Sequence, residues 1–167
     1  MNAYKMGSFA SDVPGIFPLC TQGQTDANYC ALWKPGVKWI PANAYSIPSG
    51  KTLTVVAFYV CSSSGSGSSF VWSLGYGDNA QVEGIGGGST APTNAVSVFG
   101  DTTASTIAAM GGILGASGTA GLGFGTQPFP FLAPEMWPVA AATKYPFARL
   151  RGPSSVEHWL TLWVLEV

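Results

Sequence analysis

The chain has 167 residues, of which 47% are hydrophobic and only 9% are charged, and its formal net charge at pH 7 is −1. The apolar content excludes a disordered chain, and the near-neutral charge gives no electrostatic reason to bind nucleic acid. Soluble domains carry about 25% charged residues, which keep them dispersed. We therefore expect much of this surface to contact other protein, as in a component of an assembly.

Prolines interrupt the first forty residues at Pro14, Pro18 and Pro35, which predicts an extended segment without long helices or strands. We assign residues 1–40 to an extended N-terminal docking arm and residues 41–167 to a β-sandwich domain. The arm packs on its own domain or on a neighbouring subunit, and the sequence leaves both open. Its candidate docking side chains are Phe9, Ile16, Phe17, Leu19 and Trp33.

The clearest predicted strand spans residues 52–61 and follows a turn at residues 48–51. It is rich in β-branched and aromatic residues, which favour strands. With a period of two, Val55 and Ala57 lie on one face, and Val56, Phe58 and Val60 lie on the other. Because a solvent-facing antiparallel strand is polar on one face, we expect both faces of this strand to be buried.

Further strands are predicted before and after a long glycine-rich stretch. Residues 104–125 are uncharged but too rich in glycine for a lipid-facing helix, so we expect a Gly-rich loop with a short helix near residues 106–114. Repeated short strands with Gly, Pro and Ser turns predict an all-β fold, an antiparallel jelly-roll-like β-sandwich. The further predicted strands are residues 70–76, 81–85, 95–99, 128–132, 144–150 and 158–167.

The closing strand, like residues 52–61, is apolar on both faces, with Trp159 and Trp163 opposite its leucines. We expect one sandwich core to be too small to bury all of these side chains. The pattern therefore predicts that two strands pack against a second subunit. The predicted interface residues are Val56, Phe58, Val60, Leu160, Leu162 and Val164.

The sequence shows no constellation that predicts catalysis. The only histidine is His158, beside a turn, and we interpret it as a surface or capped residue with no nucleophile to activate. Cys20, Cys30 and Cys61 lack metal-ligand spacing and predict reduced thiols, with a Cys20–Cys30 disulfide as the alternative. We predict no catalytic residue, no metal site and no cofactor. A calcium site is the weaker interpretation of four polar turn residues, Asp78, Asn79, Glu83 and Asp101.

Three of the six tryptophans lie beside prolines in predicted loops. Exposed aromatic rings can bind sugars or anchor protein interfaces. We favour packing for these residues, with sugar binding as the alternative. The candidate glycan platforms are Trp33, Trp39 and Trp137.

The segment at residues 45–53 reads Tyr-Ser-Ile-Pro-Ser-Gly-Lys-Thr-Leu and leads into an apolar strand and a serine-rich loop. It resembles a pattern in small β-sandwich virion proteins of tailed bacteriophages, which also close on an aromatic strand. The resemblance covers residues 40–78 and about the last twenty residues, and the glycine-rich middle departs from it. It implies a jelly-roll head-decoration or fibre-type protein that works as a trimer.

The predicted function is that of a non-enzymatic virion structural protein, a capsid decoration or cement protein. Its expected partners are itself, as a homotrimer, and other virion proteins such as the major capsid protein. The alternative is a receptor-binding fibre tip or carbohydrate-binding module that contacts host glycans. A secreted lectin or a pore-forming β protein is a third class, and no signal-peptide pattern is found at residues 1–10. We expect a virion location and no membrane insertion.

Overall fold

The computed structural model describes residues 15–25, 28–62, 69–80, 90–103, 113–116 and 143–167. These ranges contain strands and a short 3-10 turn at Pro41–Asn43, and no α-helix lies within them. The prediction of an all-β fold is confirmed. The strands are β1 (Ile16–Cys20), β2 (Tyr29–Ala31), β3 (Leu53–Ser62), β4 (Ser69–Gly77), β5 (Val96–Phe99), β6 (Ile113–Ala116), β7 (Tyr145–Arg151) and β8 (His158–Glu166).

The strands form two antiparallel sheets. One has the order β1-β8-β3, and the other has the order β2-β7-β4-β5, with β6 also paired to β4. Phe99 of β5 pairs with Leu74, and Ile113 of β6 pairs with Trp72, two residues further along the same edge of β4. Strands β5 and β6 therefore occupy one strand position, interrupted by residues 100–112.

The core lies between the two sheets and draws side chains from both. The three-stranded sheet contributes alternate residues of β8, which are buried at every second position. Phe70, Trp72 and Leu74 of β4 face them from the five-stranded sheet. The fully or nearly fully buried members of this cluster are Leu19, Leu32, Ile47, Leu53, Val55, Phe58, Val60, Phe70, Trp72, Leu74, Ala148, Leu150, Leu160, Leu162 and Val164.

A β-bulge reverses which residues of β3 face the core. Val55 pairs with Val164 and Ala57 pairs with Trp163, so Val56 is the extra residue between two consecutive pairs. Residues before the bulge point inward at odd positions, and residues after it point inward at even positions, beginning with Phe58. Val56 consequently keeps 44% of its surface exposed.

The predicted subunit interface is wrong for five of its six residues. Phe58, Val60, Leu160, Leu162 and Val164 are buried in the core of the single chain, where the five-stranded sheet covers them. In β8 the period of two is strict, and the prediction failed because it did not know which face the second sheet covers. In β3 the bulge also separates Val56 from Phe58 and Val60, which a strict period of two had placed on one face. The sixth predicted interface residue, Val56, is the exposed residue of the bulge.

The N-terminal segment is also different from the predicted arm, because β1 and β2 belong to the sandwich. Strand β1 pairs with β8 in one sheet, and β2 pairs with β7 in the other. Leu19 and Trp33 are fully buried, Phe17 packs against the core, and Ile16 is partly exposed. The domain boundary at residue 40 is therefore corrected, and Phe9 lies outside the described residues.

The predicted strands at residues 52–61, 70–76, 95–99, 144–150 and 158–167 are confirmed within one or two residues as β3, β4, β5, β7 and β8. Strand β6 was missed, because it lies within the predicted Gly-rich loop and includes two residues of the expected helix. The predicted strands at residues 81–85 and 128–132 lie outside the described ranges.

Candidate interaction surfaces

The outer face of the three-stranded sheet carries no charged side chain. Cross-strand partners share a face, and Pro18 of β1 pairs with Trp163 of β8, which pairs in turn with Ala57 of β3. The same register extends the face in both directions. We call it the uncharged face, formed by Ile16, Pro18, Cys20, Thr54, Val56, Ala57, Tyr59, Trp159, Thr161, Trp163 and Leu165.

Every side chain of the uncharged face is at least partly exposed. Trp159 lies over Gly23, where an added Cβ would come within 3.0 Å of the indole ring. The closest charged group at that end is the Glu157 carboxylate, whose Oε2 would lie 2.9 Å from the same Cβ. The face therefore offers aromatic and aliphatic contact, with charge only at its border.

In contrast to the uncharged face, the outer face of the five-stranded sheet is largely buried within the chain along β4 and β7. The Thr102 carbonyl oxygen accepts hydrogen bonds from Tyr29 Oη and from Arg149 Nη1, each at 2.8 Å. The Arg149 guanidinium also lies 4.9 Å from the Tyr29 ring centroid. Val71 and Ser73 on this face of β4 are fully buried. Burial on both faces was predicted for β3 and β8 instead, and it is wrong there, because Val56 and Ala57 are exposed and Trp163 is partly exposed.

One end of the sandwich gathers all four lysines of the described residues. Lys51 lies two residues before β3, and Lys144 directly precedes β7, where its backbone pairs with Ile47. Lys34 and Lys38 lie in the loop from β2 to β3, which emerges at the same end. Among the described residues, the side-chain carboxylates at this end are Asp78, which forms an ion pair with Lys144, and Glu166, which accepts a hydrogen bond from Tyr45 Oη. We call this region the lysine end.

A rigid loop at residues 34–43 projects from the lysine end. Its first turn has Pro35 and Gly36 as central residues, the glycine at φ +84°, as a type II turn requires. The Trp33 indole donates a hydrogen bond to the Ile40 carbonyl oxygen at 3.2 Å. The Lys38 carbonyl oxygen accepts one from the Ile40 amide (2.9 Å) and one from the Asn43 side chain (3.0 Å). These bonds fix the backbone on both sides of Trp39.

The three candidate glycan platforms have different outcomes. Trp33 is fully buried, so it cannot stack on a sugar, and that assignment is corrected. Its burial follows from the backbone pairing of Trp33 with Cys20, which brings the indole under the β2–β3 loop. Trp39 is 45% exposed and remains a candidate. Trp137 lies outside the described residues.

His158 is fully buried, whereas the sequence predicted a surface or capped residue. Its ring packs on Phe70 with the centroids 4.2 Å apart. It pairs through backbone hydrogen bonds with Gln24, which is also fully buried. Within the described part of the chain, neither ring nitrogen of His158 and neither amide atom of Gln24 has a hydrogen-bond partner. Burial lowers the pKa of His158 to about 4, so the ring is neutral at pH 7.

The cysteine and acidic residues form no reactive cluster in the described ranges. Cys20 and Cys30 are reduced thiols, so the alternative disulfide between them is not formed. Burial raises the pKa of the Cys20 thiol, whose Sγ donates to the Trp33 carbonyl oxygen. No group of three His, Cys, Asp or Glu side chains in these ranges could hold a metal ion.

The candidate calcium residues do not converge. Asp78 contacts Lys144 and Asn94, and the Lys144 ammonium holds its pKa below the usual value. Asp101 instead accepts hydrogen bonds from Thr103. Asn79 accepts one from the Thr93 amide. Glu83 lies outside the described residues.

Two features of these surfaces were missed from the sequence, namely the uncharged outer face and the lysine end. The alternation of Trp159, Trp163 and Leu165 in β8 was visible, but its exposure depends on which face the second sheet covers. The four lysines are scattered along the chain, and only the strand topology brings them to one end. Lys51 and Lys144 adjoin the starts of predicted strands, whereas Lys34 and Lys38 lie in the predicted arm, where no local signal indicated their position.

The chain matches no protein-family model, and no curated protein or solved structure is detectably similar to it. None of the helices in the described ranges is long and apolar enough to cross a membrane. The functional argument therefore depends on the surfaces themselves.

Proposed function

We propose that this protein is a non-enzymatic virion structural protein, a capsid decoration or cement protein that assembles as a homo-oligomer, with a trimer expected. The observation that carries the proposal is the uncharged face, a sheet surface with three aromatic side chains, Tyr59, Trp159 and Trp163, and no charge. Interface cores are depleted in charge and enriched in aromatic residues. A face without charge can also pack against a second copy of itself without electrostatic repulsion.

The strand order supports a jelly roll as the form of the sandwich. A jelly roll has eight strands in two sheets, a fold that capsid proteins share with lectins. Here β1 pairs with β8 and β2 pairs with β7, the pairing expected when a long antiparallel hairpin is wrapped into two sheets. With β5 and β6 counted as one strand, the described residues fill seven positions, and the eighth would lie beside β3.

The size of the uncharged face sets the expected strength of association. Strands β1, β3 and β8 have 5, 10 and 9 residues. At about 3.4 Å per residue and about 4.8 Å between strands, they give an area of about 400 Å². A standard interface buries about 800 Å² on each partner. The uncharged face supplies about half of that, so we expect an oligomer that dissociates on dilution unless other surfaces also contribute.

Native mass measured by light scattering over a range of concentrations tests the oligomer. The wild-type mass should be a multiple of 17.3 kDa, and Trp163→Lys should shift the population to monomer because it places a cation within the interface. The matched control is Trp39→Lys, which adds the same charge at the lysine end and should leave the mass unchanged. A wild-type protein that is monomeric at every concentration contradicts the proposal.

The virion assignment has a separate test. The protein should sediment with intact particles from its natural source and be released from them only by conditions that disrupt assembly. Recovery of the protein solely from the particle-free fraction would remove this part of the proposal, even if the oligomer were confirmed.

The alternative function, a receptor-binding or carbohydrate-binding module, is favoured by one observation. Trp39 is the candidate platform that stays exposed, and it is held in a braced loop.

A further inference from the structure

We infer that the lysine end is a binding site for an anionic glycan, a polysaccharide whose sugar residues carry carboxylate or phosphate groups. The site centres on Trp39, with Lys34 and Lys38 in the same loop. Lys51 adds positive charge at the same end, where Lys144 is paired with Asp78. This inference deepens the alternative function and rests on the exposure of Trp39, independently of whether the uncharged face forms an oligomer.

The first argument is the distribution of charge. All four lysines of the described residues lie at this end, against the side-chain carboxylates of Asp78 and Glu166. Both carboxylates are already engaged, the first by Lys144 and the second by Tyr45. Lys38 and Lys51 are exposed and form no ion pair within the described ranges. The complementary partner is therefore an anion, and lysine binds anions as a mobile point charge.

The second argument is the preorganisation of Trp39. Hydrogen bonds hold the backbone of its neighbours Lys38 and Ile40, as described for the loop, so the position from which the exposed ring extends is fixed. Lys34 is also positioned, because its ammonium lies 4.4 Å from the Phe17 ring centroid and 5.5 Å from that of Tyr45. Binding to a preorganised site avoids part of the entropy cost of ordering side chains.

The third argument is the size of the apolar surface. Large apolar side chains are exposed at this loop in Val37 (38%) and Trp39 (45%). An aromatic side chain buries up to about 250 Å², so the exposed part of Trp39 offers about 100 Å². That area is far below the roughly 800 Å² that a protein partner would cover. It is also too small to anchor the protein to a membrane, since stable anchoring needs more than one acyl chain. It does match the apolar face of a single sugar ring.

The test uses a defined anionic oligosaccharide and its neutral counterpart. Short oligogalacturonate carries a carboxylate on each sugar, and its methyl ester keeps the same rings without the charge. Calorimetry should show binding of the oligogalacturonate that weakens as salt is raised. The ester should bind about tenfold more weakly or not at all. A short oligomer engages one site, so the result does not depend on the oligomeric state of the protein.

Variants locate the site. Trp39→Ala should weaken binding by about tenfold, which corresponds to about 1.4 kcal/mol of stacking. Lys38→Gln should weaken binding several-fold, and Lys38→Arg should restore it. Ser155→Ala in the exposed turn between β7 and β8, outside both proposed surfaces, is the control and should leave binding unchanged. Each variant is checked for an unchanged melting temperature, and Lys38→Gln tests the site even if Trp39→Ala destabilises the fold.

Four results would overturn the inference. The first is that the oligogalacturonate does not bind, and the second is that its methyl ester binds equally well. The third is that neither the Trp39 variant nor the Lys38→Gln variant changes the affinity. The fourth is binding only to vesicles that contain phosphatidylglycerol, which would assign the lysine end to lipid surfaces. Loss of glycan binding with an intact oligomer, or the reverse, shows which of the two proposals has failed.

Discussion

The buried His158 makes a quantitative prediction for the stability of the sandwich at acidic pH. Its pKa is lowered from 6.5 to about 4 because the ring is desolvated, and the unfolded chain keeps the ordinary value. The unfolded state therefore binds more protons between these two pH values, so stability falls as the pH drops from 6.5 towards 4. The free energy of unfolding is highest above pH 6.5 and, as far as His158 determines it, stops falling below about pH 4.

The magnitude follows from the two pKa values. One pKa unit corresponds to about 1.4 kcal/mol, so the full loss is about 3 kcal/mol. About 2 kcal/mol of it should already appear between about pH 7 and about pH 5. The sequence contains one histidine, and carboxyl groups titrate mainly below this interval. The loss in that interval can therefore be assigned to His158.

The assay is urea unfolding at several pH values in that interval. His158→Leu should abolish the pH dependence, since leucine fills a similar apolar volume against Phe70 and binds no proton. His158→Gln is the matched control, because it keeps a polar side chain that does not titrate, and it should also show no pH dependence. A wild-type stability that is constant from pH 7 to 5, or a slope that persists in both variants, would refute the reasoning.

Three further predictions concern the core and the sheet contacts. Leu162→Ala should lower the free energy of unfolding by about 2–5 kcal/mol because it leaves a cavity. Val56→Ala at the exposed bulge should change the free energy of unfolding by less than about 1 kcal/mol. Urea unfolding compares the two variants, and equal losses would contradict the burial pattern. Gly75→Ala should destabilise the fold by about 1–3 kcal/mol, because the added Cβ would lie 2.5 Å from a backbone carbonyl oxygen of β5. An unchanged melting temperature would contradict this prediction and show that the strands separate there at little cost. Tyr29→Phe should lower the free energy of unfolding by about 1 kcal/mol, since it removes one of two hydrogen bonds to the Thr102 carbonyl oxygen. A change near zero would show that this hydrogen bond contributes nothing to stability.

Much of the fold was predictable because local composition reports strand formation directly. The turn at residues 48–51 was predicted from its Pro-Ser-Gly-Lys sequence, and it forms with Gly50 at φ +78°. Strands β3, β4, β7 and β8 were found because β-branched and aromatic residues favour extended backbone. Strand β6 was missed because two of its four residues, Gly115 and Ala116, have low strand preference, and its pairing with β4 stabilises it.

The candidate surfaces were less predictable because they depend on contacts between residues distant in sequence. Trp33 and Trp39 occupy similar loop contexts beside prolines, yet one is buried and the other is exposed. The difference is the backbone pairing of Trp33 with Cys20, which no local pattern reports. His158 likewise lies beside a turn in the sequence, and only the packing of Phe70 against it makes it a core residue.

The sequence by itself determined that this chain is a low-charge all-β protein, since composition and strand propensity act locally and survive any arrangement of the strands. Only the tertiary structure decided which apolar face is covered. The bulge at Val56 shifts the side-chain alternation by one residue, and the five-stranded sheet then buries Phe58 and Leu162 while Trp163 stays at the surface. A single inserted residue can reverse a period-two pattern, so facing direction is a property of pairing and not of sequence alone.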